Sequence, residues 1–298
     1  MQTNAQLKVL VRDTYTQVAD QSRAVNAASC CGSGGGGSPL DDAAIMADDY
    51  VGLSGYVPDA DLGLGCGLPT QFAQIKPGDV VVDLGSGAGN DCFVARAQTG
   101  ETGHVIGLDM TPAMIDRARQ NAKKLGYANV KFVYGDIEEI PLPNGFADVV
   151  VSNCVMNLVP DKQRAFDETY RILKPGGHFS ISDIVLVGEL PDPIRQAAEL
   201  YAGCVSGAVQ ETTYLDTVAM AGFENVQIQK RKPIHLPVDL LRQYLTDEQI
   251  ETYHQADLGI FSVTIYAEKP AQDVPVLTDL TGTSAATGTS CCGPDCCN

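Results

Sequence analysis

The chain is short of basic residues: 20 Lys and Arg stand against 37 Asp and Glu, a formal net charge of −17. A phosphate backbone or an anionic membrane repels such a surface, which argues against nucleic acid and lipid as partners. Long apolar runs are also missing. No window approaches the ~18 apolar residues needed to span a bilayer, and the N-terminal MQTNAQLKVLVRD has no basic region leading into an apolar stretch. The expected location is cytoplasmic. The four histidines have no ligand spacing; His104 and His178 fall in strand patterns, where core or surface roles are expected. No internal repeat is visible.

What the chain does have is cysteine, 10 in 298 residues, too dilute for a disulfide scaffold and so to be explained one by one. Cys30 and Cys31 precede a glycine tract, while Cys66, Cys92, Cys154 and Cys204 stand singly. Cys291, Cys292, Cys296 and Cys297 crowd the last eight residues.

Four segments are expected. Residues 1–68 hold an amphipathic stretch, Leu7 to Val18, and a Gly-rich, Cys-bearing arm; 69–187 form a cofactor-binding core. Residues 188–269 supply substrate-side helices and the final strands, and the polar tail 270–298 is expected to be disordered up to its cysteines. Within the core, VVVDL, HVIGLDM, VKFVYGD, ADVVVSN and HFSISDIVLV read as strands. Between them lie helices near Asp91 to Gln98, from a Thr111 cap with Pro112 at the first position to Leu125, and over DKQRAFDETYRIL, ended by Lys174-Pro175-Gly176-Gly177. Such alternation predicts an α/β, doubly wound, Rossmann-like sheet, mostly parallel, with VQIQKR and FSVTIYAEK adding an antiparallel late strand.

The strand VVVDL ends in Asp83 and a turn carrying Gly85, Gly87 and Gly89, the strand-loop-helix pattern of a nucleotide site. The GxGxG spacing, with Asn90 where a dinucleotide fingerprint runs on, suits S-adenosylmethionine (SAM) better than NAD. Asp109, ending the second strand about 20 residues later, suits a ribose diol. Met110 is placed to pack on adenine. Asp136, followed by Ile137, is placed to accept from the adenine amine and reads equally well as a helix N-cap. Asn153 ends the fourth strand on the same cofactor side.

Ligands of a doubly wound sheet bind beyond the carboxyl ends of its strands. Cys154, in SNCVMNL, falls there. Cys204, in AGC, follows the fifth strand in the expected lid region, and Cys66, in GCG, precedes the fold with flanking glycines that would leave its sulfur accessible. Cys92 reads as packing on the first crossover helix. Thiolates select soft centres. Trivalent arsenic offers three bonding positions and a lone pair that can accept a methyl group without a general base.

From about Pro69 to Lys269 the motifs resemble class I SAM-dependent methyltransferases, and the CC, GCG, SNCVMNL and AGC contexts resemble the arsenite methyltransferase family. The resemblance implies that Cys66, Cys154 and Cys204 bind As(III), presented as arsenite, its thiol conjugate or methylarsenite, with mono-, di- or trimethylated products. It implies a turnover disulfide between Cys66 and either Cys30 or Cys31, with thioredoxin or glutathione restoring the thiols. The terminal CCGPDCCN reads equally as a metalloid-capturing tail or one without catalytic part. Competing readings are a methyltransferase for a quinone- or sterol-like acceptor and a metalloid-sequestering protein.

Overall fold

The structure, a computed structural model, describes residues 3–21, 26, 48–190, 205, 207–236, 238–243, 245–255 and 259–271. Cys30, Cys31, Cys204 and the four tail cysteines lie outside the described residues, as does the stretch following Leu190.

Seven strands form one sheet in the order β3-β2-β1-β4-β5-β7-β6. They are β1 (Val80–Leu84), β2 (His104–Asp109), β3 (Val130–Tyr134), β4 (Ala147–Asn153), β5 (Leu173–Val187), β6 (Glu224–Ile234) and β7 (Gly259–Glu268). The first five run parallel, and β7 lies antiparallel between β5 and β6. The expected doubly wound sheet with one antiparallel late strand is therefore present.

The uninterrupted apolar strands follow from burial on both faces. Val81, Val105, Val149 and Val151 pack with Phe93, Met114 and Phe132 on one side. Their neighbours Val82, Leu84 and Val150 pack with Phe166, Phe179 and Tyr214 on the other. In chain order the helices are α1 (Asn4–Ala19), α2 (Pro69–Phe72), α3 (Asn90–Thr99), α4 (Pro112–Leu125), α5 (Lys162–Ile172), α6 (Glu211–Met220), α7 (Val238–Leu241) and α8 (Asp247–Gln255). None of the described helices is long and apolar enough to cross a membrane.

Two local readings change. Lys174-Pro175-Gly176-Gly177 does not separate helix from strand, because β5 already begins at Leu173. Leu173 pairs with Ala147 before a register shift, and the Gly176 N–H donates to the Lys269 carbonyl at 3.0 Å, so the turn sequence is absorbed into the sheet edge. No helix follows Asp136 either. Its Oδ1 accepts the Glu138 N–H at 2.9 Å in a tight turn, which overturns the N-cap alternative.

The N-terminal amphipathic segment forms α1 and docks on the core. Arg117 of α4 donates to the Ala19 carbonyl and, at 3.1 Å, to that of Gln21, satisfying acceptors that a helix C-terminus leaves open. Lys8 reaches Asp136 at 2.6 Å and Glu138 at 2.5 Å. The helix thus lies against the carboxyl end of the sheet.

Candidate active site

After β1 the backbone turns through Gly85, Gly87 and Gly89 with φ of 72°, 50° and 97°. A Cβ on Gly85 would lie 2.5 Å from Val155, whereas one on Gly87 would meet nothing within 4 Å. Gly85 is thus demanded by close packing, and Gly87 keeps open the floor of a cleft. Gly89 opens α3 against Phe93 and Phe132.

The cleft, open to solvent on one side, spans about 1090 Å³ including that open space, and Asp83, Gly85, Gly87, Asp109, Met110, Asp136, Ile137, Asn153 and Cys154 line it. The two oxygens of Asp109 accept the N–H groups of Gly87 at 2.9 Å and Thr111 at 2.8 Å, which orients the carboxylate at the end of β2. The cleft also presents Ser86 Oγ and Asn90 Oδ1, both buried and without a partner. Buried polar atoms left this way suit a polar ligand, so the residues present fit an adenosyl cofactor.

Carboxylates crowd beneath the turn. Burial, reinforced by the charge of Asp91, raises the pKa of Asp83 well above the ordinary range. The Cys92 thiol donates to Asp83 at 3.2 Å, so this cysteine packs as expected and also partners a buried acid. Burial pushes Asp91 up to about 6, against hydrogen bonds from Tyr50, Asn153 and Thr70. Asp109 is raised by burial too, with the Thr111 and Gly87 N–H groups opposing. Asp136 lines the cleft with Lys8 on its Oδ2. Sequence reasoning missed that pairing and the contribution of α1, which brings Lys8, Val11 and Tyr15 to the cleft wall.

The thiol side is built from three remote segments. Cys66 is fully buried, a correction to the expectation that its glycines expose the sulfur. They admit backbone instead: a Cβ on Gly65 would lie 2.6 Å from Asn153 Nδ2, and one on Gly67 would lie 2.5 Å from Ser182 Oγ. Asn153 Oδ1 accepts the Cys66 N–H at 3.0 Å and the Gly67 N–H at 3.3 Å, and Ser262 Oγ donates to the Cys66 carbonyl at 2.5 Å. Asn153 Nδ2 donates to Tyr50 Oη at 2.6 Å and the Gly67 carbonyl at 2.8 Å. Its amide is therefore occupied with the GCG loop, although the side chain borders the cleft.

Cys154 follows β4 with φ of 60°, a left-handed conformation that costs a residue with a Cβ about 1–2 kcal/mol. Its N–H donates to the Ser182 carbonyl at 2.7 Å, holding the bend. Cys66 Sγ, Cys154 Sγ and a carboxylate oxygen of Asp183 lie within 4.8 Å of one another, all buried. Asp183 was not anticipated; an acid inside the apolar SISDIVLV was the available signal. Its pKa rises to about 7 through burial, opposed by the Ile184 N–H, the Lys162 charge and Tyr214. Two of the three cysteines expected around one cleft are thus together, and the third, Cys204, lies outside the described residues.

A glycine-lined cofactor cleft meeting a buried dithiol at the carboxyl ends of such a sheet places the protein among the SAM-dependent methyltransferases. The methyltransferase domain family matches residues 75–236. The arsenite methyltransferase of Halobacterium salinarum is 41% identical over 280 residues, covering 89% of this chain and 67% of that protein. The arsenite methyltransferase of Aquipseudomonas alcaligenes is 33% identical over 260 residues, covering 85% and 71%. The crystal structure of an arsenic(III) S-adenosylmethionine methyltransferase from Chlamydomonas reinhardtii aligns with a TM-score of 0.57 at 32% identity, over 78% of this chain and 75% of that one. The chain belongs to the arsenite methyltransferase family.

Proposed function

We propose that the protein methylates trivalent arsenic held by Cys66 and Cys154, with Cys204 as the third sulfur. The observation that carries this reading is the convergence of Cys66 Sγ and Cys154 Sγ within 4.8 Å in a buried cluster whose Cys154 borders the cofactor cleft. Soft sulfur donors favour As(III), and the two thiols leave its lone pair free. When bound, SAM supplies an electrophilic methyl group, which a lone pair accepts with no proton to remove.

The chain's own residues position the partners. Asp109, braced by two backbone N–H groups, would take the ribose hydroxyls, and Met110 and Ile137 would offer the adenine apolar contact. Asp136, paired with Lys8, would accept from the adenine amine. Asn153 fixes the Cys66 backbone, so that rigid elements hold the donor sulfurs before arsenic arrives.

Methyl transfer takes arsenic formally to As(V), and two electrons from a thiol pair return it to As(III) as a disulfide forms. Cys30 or Cys31 with Cys66 is that pair in this reading, and thioredoxin or glutathione reduces the disulfide. A reducing, cytoplasmic compartment would keep Cys66, Cys92 and Cys154 as thiols.

The test is incubation of the protein with arsenite, SAM and thiol, followed by separation of arsenic species. Methylated arsenic from the unsubstituted protein and none from Cys154→Ser, with S-adenosylhomocysteine binding retained in the variant, is the expected result. Recovery of inorganic arsenic alone from the unsubstituted protein overturns the reading.

A further inference from the structure

Resting on the arsenic reading above, we propose that Asp183 is a specificity-determining residue of the thiol cluster, holding the hydroxyl that arsenite retains after two cysteines have bound it. The placement is direct: a carboxylate oxygen of Asp183 lies within 4.8 Å of both Cys66 Sγ and Cys154 Sγ, and all three side chains are buried. The carboxylate is braced from behind. Tyr214 Oη donates to Oδ2 at 3.3 Å, and the Ile184 N–H donates to Oδ1 at 3.0 Å. The acid stands inside β5, between Ser182 and Ile184, where an apolar residue would suit the strand better. A polar substrate bound by the two neighbouring thiols gives the carboxyl group a use that packing does not.

The chemistry of loading supplies that occupant. As arsenite, As(OH)₃, meets two thiols, two As–S bonds form and two As–O bonds break. Each departing hydroxide leaves as water with a thiol proton, and arsenic stays As(III). One As–OH remains, and Asp183 provides the carboxyl oxygen that hydrogen-bonds to it, whether or not a third thiol later displaces it. Methylarsenite, CH₃As(OH)₂, spends both hydroxyls on the same two thiols and turns a methyl group toward the carboxyl instead. Asp183 therefore favours the inorganic substrate over the methylated one.

The experiment measures kcat/KM for arsenite and for methylarsenite on the same preparation of the unsubstituted protein, Asp183→Leu and Asp183→Asn. Using one preparation for both substrates cancels any inactive fraction, so a purely structural loss leaves the ratio of the two values untouched. The expected result is a fall of about tenfold or more in the arsenite-to-methylarsenite ratio for Asp183→Leu, with Asp183→Asn between it and the unsubstituted protein, as loss of a hydrogen bond to a buried ionisable group requires. A ratio within about twofold of the unsubstituted value in Asp183→Leu overturns the inference while leaving the arsenic reading intact. Failure of the unsubstituted protein to methylate either arsenical overturns both.

Discussion

Asn153 Oδ1 accepts the backbone N–H of Cys66 at 3.0 Å, so a side chain bordering the cofactor cleft sets the position of the Cys66 loop. Asn153→Ala removes this acceptor and the donor to the Gly67 carbonyl, leaving buried backbone groups unsatisfied. The expected cost is about 1–3 kcal/mol in chemical denaturation. Arsenite turnover falls more than affinity for S-adenosylhomocysteine, measured by calorimetry. Equal loss of both would show that the amide serves the cofactor directly.

Glycines on the two sides of the site fail differently when substituted. Gly67→Ala drives a Cβ to 2.5 Å from Ser182 Oγ, displacing the Cys66 loop, and costs about 1–3 kcal/mol of stability. Gly87→Ala meets no neighbour within 4 Å but keeps a φ of 50°, so its folding cost stays near about 1 kcal/mol. Its methyl group enters the cleft, and the Kd for S-adenosylhomocysteine rises. Thermal melts paired with calorimetry separate the two effects.

Lys8 spans Asp136 and Glu138 from α1. With Lys8 about one-quarter exposed, the pairs contribute within about 1 kcal/mol, so Lys8→Ala leaves the melting temperature nearly unchanged. The cofactor cleft loses one wall contact and a counter-charge to Asp136. A several-fold higher KM for SAM at unchanged kcat is expected, with recovery in Lys8→Arg, from initial rates at saturating arsenite.

Stability of the ligand-free protein should fall as pH rises from about 4 to about 7. Asp183 has its pKa raised from 3.8 to about 7 and Asp91 from 3.8 to about 6, so the native state holds protons that the unfolded chain has released in that window. Unfolding then releases protons, and each rise in pH favours it. For Asp183 the shift corresponds to at most roughly 4 kcal/mol above pH 7. Denaturant melts from pH 5 to 8 check the slope, and Asp183→Asn flattens it and stabilises the protein at pH 8.

The parallel core was legible because strands buried on both faces become apolar runs such as VVVDL and ADVVVSN, and because the positive-φ positions 85, 87 and 89 of the turn all carry glycine. Cys66 and Cys154 were legible from their flanking residues. Long-range pairings were not: Lys8 and Asp136 are 128 residues apart, and neither has a local pattern that names the other. The acid in SISDIVLV was visible as an anomaly, but its proximity to two sulfurs depends on how β4 and the GCG loop meet β5. The role of the GCG glycines was misjudged for the same reason, since the atoms they make room for belong to Asn153 and Ser182.

Ser262 of β7 anchors the Cys66 carbonyl, and its neighbour Val263 pairs with Asp183. The Cys66 loop is therefore held by a strand 196 residues further along the chain, so its position is set only once the antiparallel edge of the sheet has formed.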